Sequence, residues 1–168
     1  MLYKSIYLML TCFFLILTGC KDIMSDSTET ATKAPKIVNE VGALSKLISL
    51  PNDPVSVRWL EPDPNNKESA ELLALIEFHE GDYAEIVKNS PNFDLIQDDK
   101  MPEPMFNEWV PASVAAAIET KQENGMVVMK GINALKPNLF IKAKASPFIH
   151  GAITPLGAGY IFVYLYTM

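Results

Sequence analysis

The segment Tyr160-Ile161-Phe162-Val163-Tyr164-Leu165-Tyr166 is apolar on both of its faces. Successive side chains of a strand point to opposite sides of the sheet. Tyr160, Phe162, Tyr164 and Tyr166 therefore share one face, and Ile161, Val163 and Leu165 the other. Such a strand belongs in the interior of a sheet covered on both sides, with its phenolic hydroxyls reaching polar partners at the margin of the core. The functional alternative is an exposed aromatic stripe that serves as a binding face. Arg58 and Trp59 join it as candidates, although strand neighbours face opposite ways, which favours a buried Trp59 and an exposed Arg58. Pro155-Leu156-Gly157-Ala158-Gly159 reads as the loop of a hairpin that joins this strand to one over Phe148 to Thr154.

The rest of the chain supplies helices and further strands. The spacing of Ile37, Val41, Leu44, Leu47 and Ile48 predicts a helix from about Val38 to Ile48, stopped by Leu50-Pro51-Asn52-Asp53-Pro54. Val55, Val57 and Trp59 alternate with polar residues as in a half-buried strand, and Leu72 to Phe78 is apolar on both sides, as in an interior one. Asp82 and Glu85 have capping-box spacing and predict a short helix to about Asn89. Ser90 to Met105, with Pro91, Pro102, Pro104 and Asp98-Asp99, reads as irregular. Pro111 suits the first turn of a helix running to Asn124 and ended by Gly125. Met126 to Lys130 and Leu139 to Ala143 complete the expected strands. The expected class is α+β: one domain, an antiparallel or mixed sheet of about five strands, two or three helices on one face, and a C-terminal β-hairpin.

The N-terminus carries a different signal. Lys4 precedes an apolar run from Ser5 to Leu17, the n-region and h-region of a signal peptide, and the run is shorter than the roughly 20 residues that span a bilayer. It closes on Leu17-Thr18-Gly19-Cys20, which resembles a bacterial lipobox. The resemblance implies that residues 1–19 are removed and that Cys20 becomes the first mature residue, bearing a thioether-linked diacylglycerol and an acylated amine. It implies a lipoprotein held in the membrane by lipid on Cys20, and because Lys21 rather than Asp follows, the outer membrane is favoured over the inner. Residues 20–36 are polar and Ser/Thr-rich, which predicts a flexible tether, and residues 37–168 make up the single α+β domain.

Composition narrows the chemistry. Cys12 lies in the leader and Cys20 is committed to lipid, so no disulfide, thiol nucleophile or cysteine metal site is expected in the domain. The chain has 14 basic and 20 acidic residues; without Lys4 the balance is 13 − 20 = −7. Nucleic acid is not expected as a partner, because binding it requires clustered Lys and Arg, and Arg58 is the only arginine. His79-Glu80 lacks the second histidine of a His-Glu-x-x-His zinc helix, and no metal or cofactor is expected. Ser146 and Ser113 lack a nucleophile elbow. Asp98-Asp99 read as a solvated charge pair, and Gly157-Ala158-Gly159 as hairpin chemistry rather than a phosphate loop.

In order, Val55-Ser56-Val57-Arg58-Trp59, Leu72 to Phe78 with Gly81-Asp82-Tyr83, Glu108-Trp109-Val110-Pro111, and Ser146-Pro147-Phe148 leading to the terminal strand resemble a set of small bacterial proteins of unassigned function. That resemblance implies a strand, strand-helix, helix and terminal-hairpin order and carries no active site. The functional expectation is a non-enzymatic, periplasm-facing lipoprotein of the cell envelope that binds a protein or envelope component. One form of it is an immunity lipoprotein that blocks a periplasmic toxin. The alternatives are a carrier of a small apolar ligand using the aromatic hairpin, and an envelope hydrolase using His79 or His150 with a carboxylate. Nothing in the sequence sets an oligomeric state.

Overall fold

A computed structural model describes residues 36–60, 70–93, 98–142 and 147–167. The leader, Cys20 and nearly all of the tether lie outside the described residues. Those described belong to one compact unit, Ala34–Met168, of α+β class. Among the described residues eight strands form two antiparallel sheets, accompanied by four short helices. No helix among the described residues is long and apolar enough to cross a membrane.

The larger sheet contains β1 (Ile37–Val38), β2 (Ser56–Leu60), β3 (Glu71–Glu77), β8 (Tyr160–Tyr166) and β7 (His150–Gly157), hydrogen-bonded in that order. β2, β3 and β8 are its interior strands, and β3 and β8 are the two whose sequences are apolar on both faces. Their register sets Leu72 opposite Leu165, Ala74 opposite Val163 and Ile76 opposite Ile161. One row crosses four strands as Trp59, Ala74, Val163 and Ile153, where the small Ala74 sits beside the large Trp59. Each of these four side chains is 2% exposed or less.

Helix α1 (Val41–Leu47) and helix α2 (Glu80–Asn89) cover this face through Leu44, Ile48 and Ile86, joined by Phe140 and Phe148 from the chain before β7. α2 begins at Glu80, earlier than the capping-box reading placed it, and no side chain caps it. Asp82 instead accepts a hydrogen bond from Asn52 Nδ2 at 2.7 Å, fastening the Pro-rich turn after α1 to the helix. Tyr83 on α2 accepts from the Gly157 backbone N–H at 3.1 Å, and its burial pushes the phenol pKa up. Tyr83→Phe is expected to leave that N–H unpaired and cost about 1 kcal/mol, measurable as a lower midpoint in urea.

The other face of the sheet is covered by elements that hydrophobic patterning leaves hidden. β4 (Asp98–Pro102) and the start of α3 (Glu103–Trp109) occupy the second half of the stretch expected to be irregular. β4 is polar because it is an edge strand, where charged residues and proline are tolerated. Pro102 sits just before α3 and Pro104 in its first turn, where no intrahelical N–H is needed. The long helix expected after Pro111 is only α4 (Ala112–Ala115); the chain then forms β5 (Thr120–Glu123) and β6 (Met126–Asn133). Asn124 and Gly125, with φ of 51° and 74°, make the two-residue turn between them. Asn-Gly is the pair that such a hairpin turn favours, so Gly125 closes a hairpin and not a helix.

β4, β6 and β5 form the second sheet in that order. Met101, Phe106, Trp109, Val114, Val127 and Met129 pack with Leu75, Leu156 and Phe162 of the first sheet. The strand expected over Leu139 to Ala143 is a turn and coil through 142, and Leu135 instead bridges Asn92 and Ile153.

Candidate functional site

The face of the large sheet that carries the aromatic residues of β8 is organised in rows. Glu71, Tyr166 and His150 lie across one end; Leu73, Tyr164 and Ala152 come next; then Leu75, Phe162 and Thr154; and Glu77 with Tyr160 at the far end. The middle rows are apolar and the end rows carry the acids. The two half-buried phenols of this face each find an acid: Tyr164 donates to Glu71 Oε1 at 2.9 Å, and Tyr160 hydrogen-bonds Glu77. Burial and the Glu71 carboxylate push Tyr164 up to about 12, so this hydroxyl remains a donor at neutral pH. Burial first, then Glu77, pushes Tyr160 up.

A cleft of about 710 Å³ opens between this face and the second sheet. Leu73, Phe162, Tyr164 and Ala152 form one wall; Pro102 and Met126 belong to the other, with Phe93 and Ala134 from connecting segments. Its polar groups are Glu71, Asp98, Asp99 and Lys100. The volume falls within the roughly 300–1,000 Å³ of small-molecule sites, which combine apolar walls with a few polar groups.

The two adjacent aspartates are not alike. Asp98 accepts from Lys130 Nζ at 2.8 Å and from the Gly131 N–H at 3.2 Å. Those hydrogen bonds, the one from Lys130 foremost, hold its carboxyl below the usual range. Asp99 is half-buried; desolvation pushes its carboxyl above the usual range, opposed only by the Lys100 backbone N–H at 2.8 Å. The pair is therefore not the solvated loop pair expected.

The raised Asp99 has a stability consequence. Its folded-state pKa lies above its unfolded value, so its contribution to stability is greatest when the carboxyl is protonated and is lost as pH rises through the folded pKa. Asp99→Asn keeps an acceptor for the Lys100 N–H without the charge. It is expected to melt at or above the wild-type temperature at pH 7, with any gain disappearing in acid where the wild-type carboxyl is protonated, as read by thermal denaturation across pH.

The other candidate residues are dispersed. Arg58 and Tyr160 line a second cleft of about 470 Å³ with Trp109, and Arg58 Nη1 donates to the Glu108 carbonyl at 2.8 Å. Trp59 points to the opposite face, buried in the helix-covered core, where its Nε1 has no hydrogen-bond partner. Tyr166 is 38% exposed and stacks on His150 with ring centroids 5.5 Å apart. His150 starts β7 opposite Tyr166, whereas His79 follows β3 beyond the end paired with Tyr160. The length of the β3–β8 ladder therefore separates the histidines, about 20 Å at 3.3 Å per residue. Neither lines either cleft. Among the described residues no group of three or more His, Cys, Asp or Glu is placed to hold a metal ion.

Sequence reasoning singled out Phe162 and Tyr164 but missed Glu71, Leu73 and Asp99. Glu71 precedes, and Leu73 belongs to, a run read only as core, and Asp99 sits in a stretch without hydrophobic periodicity. Comparison with known proteins returns no matching family model, no similar curated protein and no similar solved structure.

Proposed function

We propose that this chain is a lipid-anchored protein of the cell envelope, non-enzymatic, that binds a small and largely apolar envelope component in the cleft between its two sheets. The observation that carries the reading is the cleft itself. Leu73, Phe162 and Met126 line it, and acceptors stand among them. Water in a space walled by such side chains is readily exchanged for an apolar ligand. The anchor and tether rest on the sequence of residues 1–36 and would hold the domain near the lipids from which such a ligand would come.

The test is photolabelling of the acylated protein in vesicles with a diazirine-bearing alkyl probe, followed by peptide mapping. Labels are expected on the peptides containing β3, β4 and β8. Ala152→Phe, which fills the cleft from β7, is expected to reduce that labelling about tenfold, the equivalent of about 1.4 kcal/mol. Labels confined to the leader and tether, or unchanged in the filled variant, would remove the cleft as the site.

A further inference from the structure

The charged groups around the cleft do not balance. Lys100 lies 3.6 Å from Glu123 on the neighbouring hairpin, and Asp98 is held by Lys130 at 2.8 Å. Each of those pairs is neutral in itself. Glu71 and Asp99 remain, and neither forms an ion pair with a described residue. Glu71 receives only the Tyr164 hydroxyl, and Asp99 only the Lys100 backbone N–H. Each carboxylate has two oxygens and acceptor capacity to spare. Both line the same cleft as Leu73, Phe162 and Met126.

From this juxtaposition we propose that the ligand of the cleft is a cationic amphiphile, an apolar body ending in a protonated amine. Its alkyl or aryl part rests on Leu73, Phe162 and Met126, and its ammonium is held by Glu71 and Asp99. This deepens the binding function proposed above and rests on it.

The chemistry separates this ligand class from its competitors. A carboxylate or phosphate amphiphile would bring a negative charge to two carboxylates that have no cation, which costs energy in a partly desolvated site. A neutral amphiphile would satisfy the walls but leave Asp99, whose pKa burial already raises, as uncompensated as before. An ammonium carries three N–H donors and no acceptor, which matches the acceptor-only carboxylates of Glu71 and Asp99. Tyr164 and Phe162 add aromatic faces, toward which cations are attracted at close range.

The experiment uses the acylated full-length protein in vesicles of zwitterionic lipid and three photoprobes of one alkyl length: a primary amine, an alcohol and a carboxylate. Labelling of the β3, β4 and β8 peptides is normalised to the amount of each probe in the vesicles. The amine is expected to label at least about tenfold more than the alcohol, a difference of about 1.4 kcal/mol, and the carboxylate least. Asp99→Asn and, independently, the exposed Glu71→Gln should each lower amine labelling more than alcohol labelling and so shrink the advantage of the amine. Equal labelling by amine and alcohol, or an advantage that survives both substitutions, would overturn the cationic ligand and leave the apolar binding site standing. If none of the three probes reaches those peptides, the binding reading fails together with it.

Discussion

Full-length protein carrying Cys20→Ala is expected to incorporate no labelled fatty acid and to be lost from washed membranes. On the proposed anchoring the effect is all-or-none, because the thioether would form at one sulfur, and Cys12 lies inside the apolar run, away from the small residues that precede Cys20. Each acyl methylene buried in a bilayer contributes about 0.8 kcal/mol; one chain holds marginally and two or more hold stably. The wild-type pattern with three chains would stay bound through washing. Metabolic labelling with an alkyne fatty acid, with fractionation of the same cells, reads both outcomes. Persistent label in the variant would mean that Leu17-Thr18-Gly19-Cys20 is not a lipidation site, and the anchor in the proposed function would fall while the cleft remained.

Gly151→Ala is expected to be the most destabilising small substitution in the domain. Gly151 has φ of +139°, a region that L side chains rarely adopt, and it pairs with Leu165 of β8. An added Cβ would collide with the Tyr164 carbonyl oxygen and approach Leu165 Cα at 2.8 Å. Both contacts are backbone, so no side-chain rotation relieves them; the β7–β8 ladder must open. Strain of that kind together with lost ladder pairing is worth about 3–5 kcal/mol, against a total of about 5–15 kcal/mol for an ordinary domain. A fall in melting temperature of about 10 °C follows for a domain of this size. Because Tyr164 and Ala152 line the cleft beside Gly151, ligand labelling should fall with stability. A variant that melted like the wild type would show that β7 is held differently from its pairing in the sheet.

These two residues differ in how they could be found. Cys20 stands out in a linear reading, because a leader, small residues and a cysteine act as a contiguous stretch of chain. Gly151 carries no linear signal. A glycine between a histidine and an alanine is unremarkable until β8 lies against it.

The same division runs through the fold. β3 and β8 were legible because a strand buried on both sides must be apolar on both sides, and the helix-covered core followed from Leu44, Ile48 and Ile86 at helical spacing. β4 and α3 were not, since an edge strand needs no apolar alternation and its Asp98, Asp99 and Pro102 resemble a loop. The β5–β6 hairpin was misread because β5 is Thr-Lys-Gln-Glu, exposed along its whole length, so only the Asn124-Gly125 turn spoke for it, and that glycine also fits a helix end.

What the sequence by itself determined is therefore the local and the contiguous: the Leu17-Thr18-Gly19-Cys20 run behind its apolar stretch, the acidic balance, the two doubly apolar strands and the terminal hairpin that ends in Tyr160 to Tyr166. Only the tertiary structure decided what that aromatic face meets. Pairing in register set Glu71 and Leu73 beside Phe162 and Tyr164, and the second sheet then brought Asp99 and Met126 across from them. A cleft is a property of two surfaces whose residues lie far apart in the chain, and the charge it leaves unbalanced depends on which acids other parts of the fold have already paired.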